Sequence, residues 1–388
     1  MRILHTVEFY YPSVGGAQEV VKQISERLVR RGHEVTVATT RSPKRSAGTI
    51  NGVHIEEFSI SGNAVRGFCG EVNRYQDFLQ GDSYDIMMNY AAQQWATDLV
   101  FPTLAKLSYR KVLAPCGFSA LYSPEWASYF SNMPLVMRQY DHLVFHSFSY
   151  RDTEFARRHG LLHYTIIPNG ASEEEFSPTD TTFRKRYNIP EDVPMLLSVG
   201  DHTGLKGHAL VIEAFRRARI RRAILVIIGN SLGRGCLVDC RYRAAKTRVA
   251  SLGRKRVLLL KPPRRDVIEA YHAADLFVFG SALECSPIAL FEALASKVPF
   301  ITTACGNAEE IVNWTNGGIV IPTVRRSNGY AEASPHSMAH AIEDLLNDPK
   351  ERARLGEAGY RSWLEHFTWE KIAAQYEQLY RMLMEEDQ

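Results

Sequence analysis

The sequence predicts an α/β chain with two doubly wound, Rossmann-like domains. Three observations carry this. Short apolar runs alternate with amphipathic stretches along most of the chain, the pattern of βαβ units and parallel sheets. The series restarts after a polar, acidic stretch at 172–180, which reads as an interdomain connection. The length of 388 residues, at about 150 residues per domain, fits two domains.

In chain order, 3–9 reads as a strand and Tyr11-Pro12-Ser13-Val14-Gly15-Gly16 as a turn. Ala17, Val20, Ile24 and Leu28 then share one helical face. Arg30-Arg31-Gly32 closes that helix, basic residues before a C-terminal glycine. Strands are expected at 35–38, 85–89, 111–114, 143–146 and 164–167, the last running into Pro168-Asn169-Gly170. The second half repeats the alternation, with strands at 195–199, 223–228, 257–260, 276–279 and 300–302. Helices are expected over 209–218 and 287–295. Ser334-Pro335 opens another, reaching 346. A closing helix from Thr368 places Trp369, Ile372, Tyr376, Leu379 and Leu383 on one stripe.

Composition narrows the class. Hydrophobic residues make up 45% and charged residues 23%, which excludes a disordered chain. Lys plus Arg is 46 against 43 Asp plus Glu, a net +3, so no nucleic-acid partner is expected. No apolar run approaches the roughly 20 residues that span a bilayer. Residues 1–8 are too polar for a signal-peptide core, and six sparse cysteines suit reduced thiols, so a cytoplasmic chain is expected. Cys236 and Cys240 have no second pair nearby, and no zinc site is expected.

Three segments hold residues suited to chemistry. Gly15-Gly16 sits between a strand and a helix start, where backbone amides and the helix dipole favour a phosphate. A plain tight turn is the competing explanation. Glu284-Cys285-Ser286-Pro287-Ile288-Ala289-Leu290-Phe291-Glu292 follows a strand and opens a helix, with Ser286 as N-cap and Pro287 as first helical residue. Its carboxylates suit sugar hydroxyls, and its amides suit an anion. A capped surface helix with two incidental glutamates is the alternative. Val199-Gly200-Asp201-His202-Thr203-Gly204-Leu205-Lys206-Gly207-His208 is a glycine-rich loop in which Lys206 either meets a phosphate or is simply solvated.

Together these motifs resemble the retaining glycosyltransferases of the fourth sequence family. The matches are Tyr11-Pro12-Ser13-Val14-Gly15-Gly16, Ile167-Pro168-Asn169-Gly170, Val199-Gly200 with Lys206-Gly207, Glu284 separated by seven residues from the family's second glutamate at Glu292, and Phe367-Thr368-Trp369-Glu370. Each is modest alone, but their order and spacing are specific and cover essentially the whole chain. The resemblance implies a GT-B fold. Its parts are an acceptor-side domain at 1–170, a nucleotide-sugar domain at 171–367 facing it across a cleft, and a helix at 368–388 that crosses back to the first domain.

The resemblance also implies roles. Glu292 would hold ribose hydroxyls, and Glu284 sugar hydroxyls. The backbone of Ser286, Pro287, Ile288 and Ala289 would meet sugar and phosphate. Lys206 would neutralise the diphosphate beside Gly200, and Gly15-Gly16 would approach it from the first domain. Catalysis would rest on Lys206 and Glu284, with no metal and no cofactor beyond the donor. Two departures stand out. Where members carry an arginine before the lysine, this chain has Asp201, His202 and Thr203, so His202 or a distant basic residue must substitute. Where members often have histidine, it has Cys116, before Gly117. Cys116, Gly117 and Asn169 are thus candidates on the sugar and acceptor side. No activating base for Cys116 is visible in the sequence.

Residues 216–265, from Arg216 through Arg265, hold sixteen Lys and Arg against Asp239 alone, a net +15. A solvated helical face explains such a run, and so does an anionic surface: a membrane leaflet or a polyanionic acceptor. The expected function is metal-independent, retaining transfer of a hexosyl group from a UDP- or GDP-sugar to a saccharide or lipid-linked glycan, at the inner face of a membrane. A soluble small acceptor is the second reading. A degenerate, non-catalytic sugar-nucleotide-binding or partner-binding protein is the third.

Overall fold

The structure, a computed structural model, describes residues 1–81, 84–177, 181–231 and 235–385. Asp180, in the expected connection, and Arg234, in the basic run, lie outside the described residues. The chain divides into two compact units, Met1–Asn169 with Trp369–Gln388, and Gly170–Thr368. The sequence put the boundaries one residue inside these. Ala171 and Thr368 form a parallel β-bridge, which ties both to the second unit.

The first unit opens with β1 (Arg2–Thr6), α1 (Gly16–Arg30) and β2 (Glu34–Thr40). The first strand stops short of the expected 3–9, because the Glu8 amide donates to Gln94 Oε1 (2.7 Å) instead of continuing the ladder. Gly32 adopts φ 87° just past α1, the left-handed C-terminal position the sequence marked. Then come β3 (Thr49–Ile50), β4 (Val53–Phe58), the hairpin of β5 (Ile60–Asn63) and β6 (Gly67–Gly70), and α2 (Val72–Gly81). Next are β7 (Ile86–Tyr90), α3 (Trp95–Asp98), β8 (Arg110–Ala114), α4 (Ala127–Met137), β9 (His142–Phe145), α5 (Arg151–Arg158) and β10 (Tyr164–Ile166). The sheet order is β10-β9-β8-β7-β1-β2-β4-β3, parallel except at β3.

The second unit begins with α6 (Phe183–Arg186), β11 (Met195–Val199), α7 (His208–Arg217), β12 (Ala223–Ile228), α8 (Leu237–Ala250) and β13 (Lys255–Leu260). It continues through α9 (Arg264–Ala273), β14 (Leu276–Phe279), α10 (Ile288–Ala295), β15 (Phe300–Thr302), α11 (Ala308–Thr315) and β16 (Gly318–Val320). An antiparallel pair, β17 (Thr323–Arg325) and β18 (Ala331–Ala333), precedes α12 (Pro335–Asn347) and α13 (Pro349–His366). Ser334 Oγ accepts from the His336 amide (3.1 Å), the cap expected for α12. The sheet order is β13-β12-β11-β14-β15-β16, all parallel.

Both faces of this sheet are covered. Leu196, Leu225, Val278 and Ile301 enter one core, and Leu197, Val226, Phe277 and Phe300 the other. Burial of each is worth about 1.5–3 kcal/mol, and burial on both faces is why these strands read as unbroken apolar runs. The chain moves outward from β11 to β13 and then returns to β14 on the opposite side of β11. Such a reversal opens a crevice at the strand C-termini, where open α/β sheets bind ligands.

The chain closes with α14 (Trp369–Glu385), which returns to the first unit and packs on α1. Every residue of its expected stripe, Trp369, Ile372, Tyr376, Leu379 and Leu383, is buried. Glu377 on this helix accepts from Arg31 (2.7 Å), His33 (3.0 Å) and Arg381 (2.6 Å). Burial works against its charge, but the hydrogen bonds from Arg381, His33 and Arg31 hold its carboxyl down at about 2, against an ordinary 4.5. A depressed acid stabilises the fold above its ordinary value and loses that contribution as pH falls through its folded one. Glu377→Gln is therefore expected to lower the melting temperature at pH 7, with the gap from wild type closing between pH 4.5 and about 2; calorimetry across that range checks it.

Candidate functional site

The loops after β11 and β14 flank the reversal point of the second unit. Gly207 begins α7 at φ 69°, and a Cβ there would lie 1.7 Å from the Gly280 carbonyl oxygen. Only glycine permits this approach. The two loops are laced together: the Ala282 amide donates to the Leu205 carbonyl (2.8 Å), and Ser281 Oγ lies 3.1 Å from the same oxygen. Lys206 Nζ consequently donates to Glu284 Oε1 at 2.6 Å, and Ser281 Oγ donates to the same oxygen at 2.8 Å. The Lys206 side chain is 31% exposed and that of Glu284 13%, so the pair is reachable yet shielded enough for its attraction to matter. Gly200 follows β11, and its carbonyl accepts from His208 Nε2 (2.8 Å).

Ser286 does not cap α10. Pro287 takes an extended ψ of 109°, so the helix begins at Ile288, and Ser286 Oγ accepts from Asn307 Nδ2 (3.1 Å) instead. Pro287 has no amide to offer, and its carbonyl accepts from the Leu290 amide (3.1 Å). The amides of Ile288 and Ala289 fall in the first turn of α10, where helices supply no acceptor of their own.

Glu292 is buried on α10 and faces Arg264, whose guanidinium lies 2.6 Å from its Oε1 and 2.6 Å from Glu175 Oε2. Arg264 also lies over the Phe176 ring at 5.5 Å. Burial pushes the Glu292 carboxyl above its usual value, and Arg264 pulls it part of the way back. The sequence counted Arg264 in the basic run and gave no sign that it serves Glu292.

His202 is not placed as an open phosphate cation: it is 1% exposed, its Nδ1 lies 3.5 Å from Cys236 Sγ, and burial lowers its pKa. Cys240 Sγ donates to Cys236 Sγ at 3.7 Å, and burial, then Cys236, push the Cys240 thiol up to about 12. This grouping was missed because the histidine lies 34 positions upstream of Cys236.

Gly15, Gly16, Cys116, Gly117 and Asn169 lie in the first unit. Gly15 precedes α1 with φ 174°, extended backbone open to any residue, and a Cβ on Gly16 would meet nothing within 4 Å. A tight turn needing positive φ therefore does not explain this pair. Cys116, Gly117 and Phe118 follow β8 with φ 58°, 94° and 47°, three successive left-handed residues. The Gly117 amide donates to Asp152 Oδ2 (2.8 Å), whose carboxyl burial raises to about 6. Buried His146 is hydrogen-bonded to Tyr90 Oη (3.0 Å) and to the Ile167 carbonyl (2.7 Å), with the Cys116 thiol beside it and donating to the same Tyr90 hydroxyl (4.0 Å). Burial opposes its charge, but Cys116, that carbonyl and Asp152 raise its pKa overall. Cys116 thus has an imidazole partner after all. Its sequence signal was a histidine at the C-terminal end of an expected strand. Asn169 is buried.

Two family models match consecutive parts of the chain: Glycosyltransferase Family 4 over 14–175 and Glycosyl transferases group 1 over 179–362. The chain belongs to glycosyltransferase family 4. This transferase is 25% identical over 413 residues to D-inositol 3-phosphate glycosyltransferase of Xylanimonas cellulosilytica, covering 96% of this chain and 94% of that one. Its fold is similar to that of sucrose-phosphate synthase from Thermosynechococcus elongatus (TM-score 0.80, 20% identity, 98% of each chain). It is also similar to Anabaena Alr3699/HepE in complex with UDP-glucose (TM-score 0.73, 15% identity, 98% of this chain and 99% of that one). These are GT-B glycosyltransferases, and the transferase shares their two Rossmann-like domains.

The basic run of the transferase is less positive in space than in sequence. Acids from outside it fold against it: Glu213 on Arg216 and Arg217, Asp192 on Arg222, Glu269 on Arg265, and Glu175 with Glu292 on Arg264. Lys255 is buried and donates to the carbonyls of Phe215 (2.9 Å) and Arg216 (3.1 Å).

Removing Arg264 isolates the Glu292 carboxylate. Arg264→Met is expected to cost about 1–3 kcal/mol at neutral pH, below the 3–5 of a fully buried pair, since the Arg264 side chain is 42% exposed. The Glu292 pKa, already raised, rises further, and a raised acid destabilises as pH climbs above its ordinary value. The loss is therefore expected to be smaller at pH 4 than at pH 7.5; urea unfolding at both values checks this.

Proposed function

We propose that the transferase moves a hexosyl group, with retention of anomeric configuration, from a UDP- or GDP-linked sugar to a saccharide or lipid-linked glycan. The Lys206–Glu284 pair at the strand reversal carries this reading. A nucleoside diphosphate brings the negative charge that Lys206 exchanges for Glu284, and Glu284, released, accepts from sugar hydroxyls. The amides of Ile288 and Ala289 and the positive end of α10 add donors for the phosphates. Glu292, fixed by Arg264, accepts from ribose hydroxyls. HepE in complex with UDP-glucose supports this class of donor.

In the step itself, the bond from the anomeric carbon to the diphosphate oxygen breaks, and its electron pair leaves with the diphosphate. The acceptor hydroxyl bonds the anomeric carbon on the same face, and its proton passes to the departing oxygen. Lys206 stabilises the charge that develops there, an interaction strongest in the transition state. Glu292→Ala is expected to weaken UDP or GDP binding at least ~10-fold by calorimetry, and Lys206→Ala to lower kcat ~100-fold or more. Turnover is expected without added Mg²⁺ or Mn²⁺. Unchanged nucleotide affinity in Glu292→Ala would sink the assignment.

A cytoplasmic location at a membrane surface belongs to the same reading. It is supported by a cavity of about 290 Å³ whose lining includes Arg221 and Arg254, two basic residues of the run. Each basic residue near an anionic leaflet is worth about 1 kcal/mol, within a Debye length. Sedimentation with anionic vesicles at low salt, lost at high salt and absent with neutral vesicles, is the expected outcome. Equal binding to both vesicle types would leave these residues as a solvated face.

A further inference from the structure

We propose that His202, Cys236 and Cys240 form a zinc site that fastens the Lys206 loop to the start of α8. Among the described residues this is the only group of three His, Cys, Asp or Glu side chains whose ligand atoms converge, all lying within 4.8 Å of one another. The spacings fit the metal. Two thiolates at about 2.3 Å and an imidazole nitrogen at about 2.05 Å, arranged tetrahedrally, stand about 3.8 Å (S···S) and about 3.6 Å (S···N) apart. Here Cys236 and Cys240 Sγ are 3.7 Å apart, and Cys236 Sγ and His202 Nδ1 are 3.5 Å apart. The third edge, at most 4.8 Å here, closes by side-chain adjustment.

The backbone prepares the site. Cys236 is the residue before α8, and the Cys240 amide donates to its carbonyl (2.9 Å), so the thiols sit one helical turn apart on one face. The Cys236 amide donates to the His202 carbonyl (3.0 Å), and the His202 amide donates to the Asn230 carbonyl (2.8 Å), which fixes the backbone that carries the imidazole on both sides. His202 and Cys240 are buried while Cys236 is half-buried, leaving an approach from solvent at Cys236. Soft sulfur with imidazole selects zinc over magnesium or calcium.

Charge balance favours loading. Zinc binding releases the two thiol protons to solvent, and Zn²⁺ with two thiolates and a neutral imidazole carries no net charge. A buried site of zero net charge avoids the desolvation penalty of an isolated ion. Three protein ligands leave the fourth position for water. Next to the trio, the His208 ring lies 4.8 Å from that of His202. Lys206 is four positions beyond His202, so the metal would steady the loop that presents the lysine. The inference does not depend on the donor reading, because its test measures metal.

The test uses the reduced, chelator-stripped full chain. Titration with Zn²⁺ against a colorimetric competitor is expected to show one high-affinity equivalent, and Co²⁺ to give a thiolate-to-cobalt charge-transfer band. Cys240→Ser and His202→Ala are each expected to weaken binding at least ~100-fold, while Cys69→Ser leaves it unchanged. X-ray absorption on the zinc-loaded wild type, which needs no variant to fold, is expected to report two sulfur neighbours and at least one nitrogen. No bound metal, no charge-transfer band, a first shell without two sulfurs, or affinity unaffected in folded Cys240→Ser and His202→Ala would each overturn the proposal.

Discussion

At Gly207 and Gly280 two backbones approach so closely that no side chain fits between them. A second approach of this kind joins Gly229 to Gly200, where a Cβ would lie 1.9 Å from a carbonyl oxygen. Together they clamp the loops after β11, β12 and β14 against one another at the point where strand order reverses. The reversal alone makes a crevice. The clamped loops decide which side chains line it, because a lysine after one strand and a glutamate after another can meet only when their backbones are held in register. The helices on both faces of the sheet act at longer range, by giving these strands two cores to enter.

A shared feature of the second unit is that each carboxylate suited to a polyhydroxylated ligand already holds a cation: Glu284 holds Lys206, and Glu292 holds Arg264. Burial disfavours the charged form of a carboxylate left alone; at Glu292 burial raises the pKa and Arg264 lowers it part of the way back. The pairs keep the acids aimed. They also mean that ligand binding is an exchange of partners, so affinity reflects a difference between two sets of polar contacts. The two departures from the family pattern belong to this picture. His202 is turned into a thiol cluster, and Cys116 rests against a buried histidine. Neither residue is a weakened copy of the one it replaces, because each has acquired its own neighbours.

The sequence revealed most where burial is symmetric. Strands 195–199, 223–228, 276–279 and 300–302 have the bounds their apolar runs indicate, because both faces are covered and the only polar residues in them, Ser198 and Thr302, are small and buried. Strands 49–50 and 60–63 did not stand out, since they are short and partly exposed. Helix α8 was hard to see because Val238, Tyr242 and Val249 on it are exposed, so apolar character does not mark its inner face. At the site, Lys206, Glu284 and Glu292 were legible from motif and spacing. Their partners were less so: Arg264 looked like one more charge in a basic run, and His146 like the end of a strand. A motif records which atoms must be present. Pairing between residues distant in the chain depends on loop conformation, which a periodicity of two or 3.6 does not encode.

The return of α14 to the first unit has a consequence for biosynthesis. The second unit is one uninterrupted segment, Gly170–Thr368, and holds every residue it needs as soon as that segment has left the ribosome. The first unit is translated earlier but finishes later. Until α14 emerges, the face of α1 that packs on it has no cover, and His5 lacks the Tyr380 hydroxyl that lies 3.1 Å away in the folded protein. The nascent chain therefore carries an incomplete N-terminal unit throughout synthesis of the one behind it. At 5–20 residues per second the 199 residues of that unit take roughly 10–40 s to make. Over that interval, the solubility of the partial unit rests on how well the open face of α1 avoids association before α14 covers it.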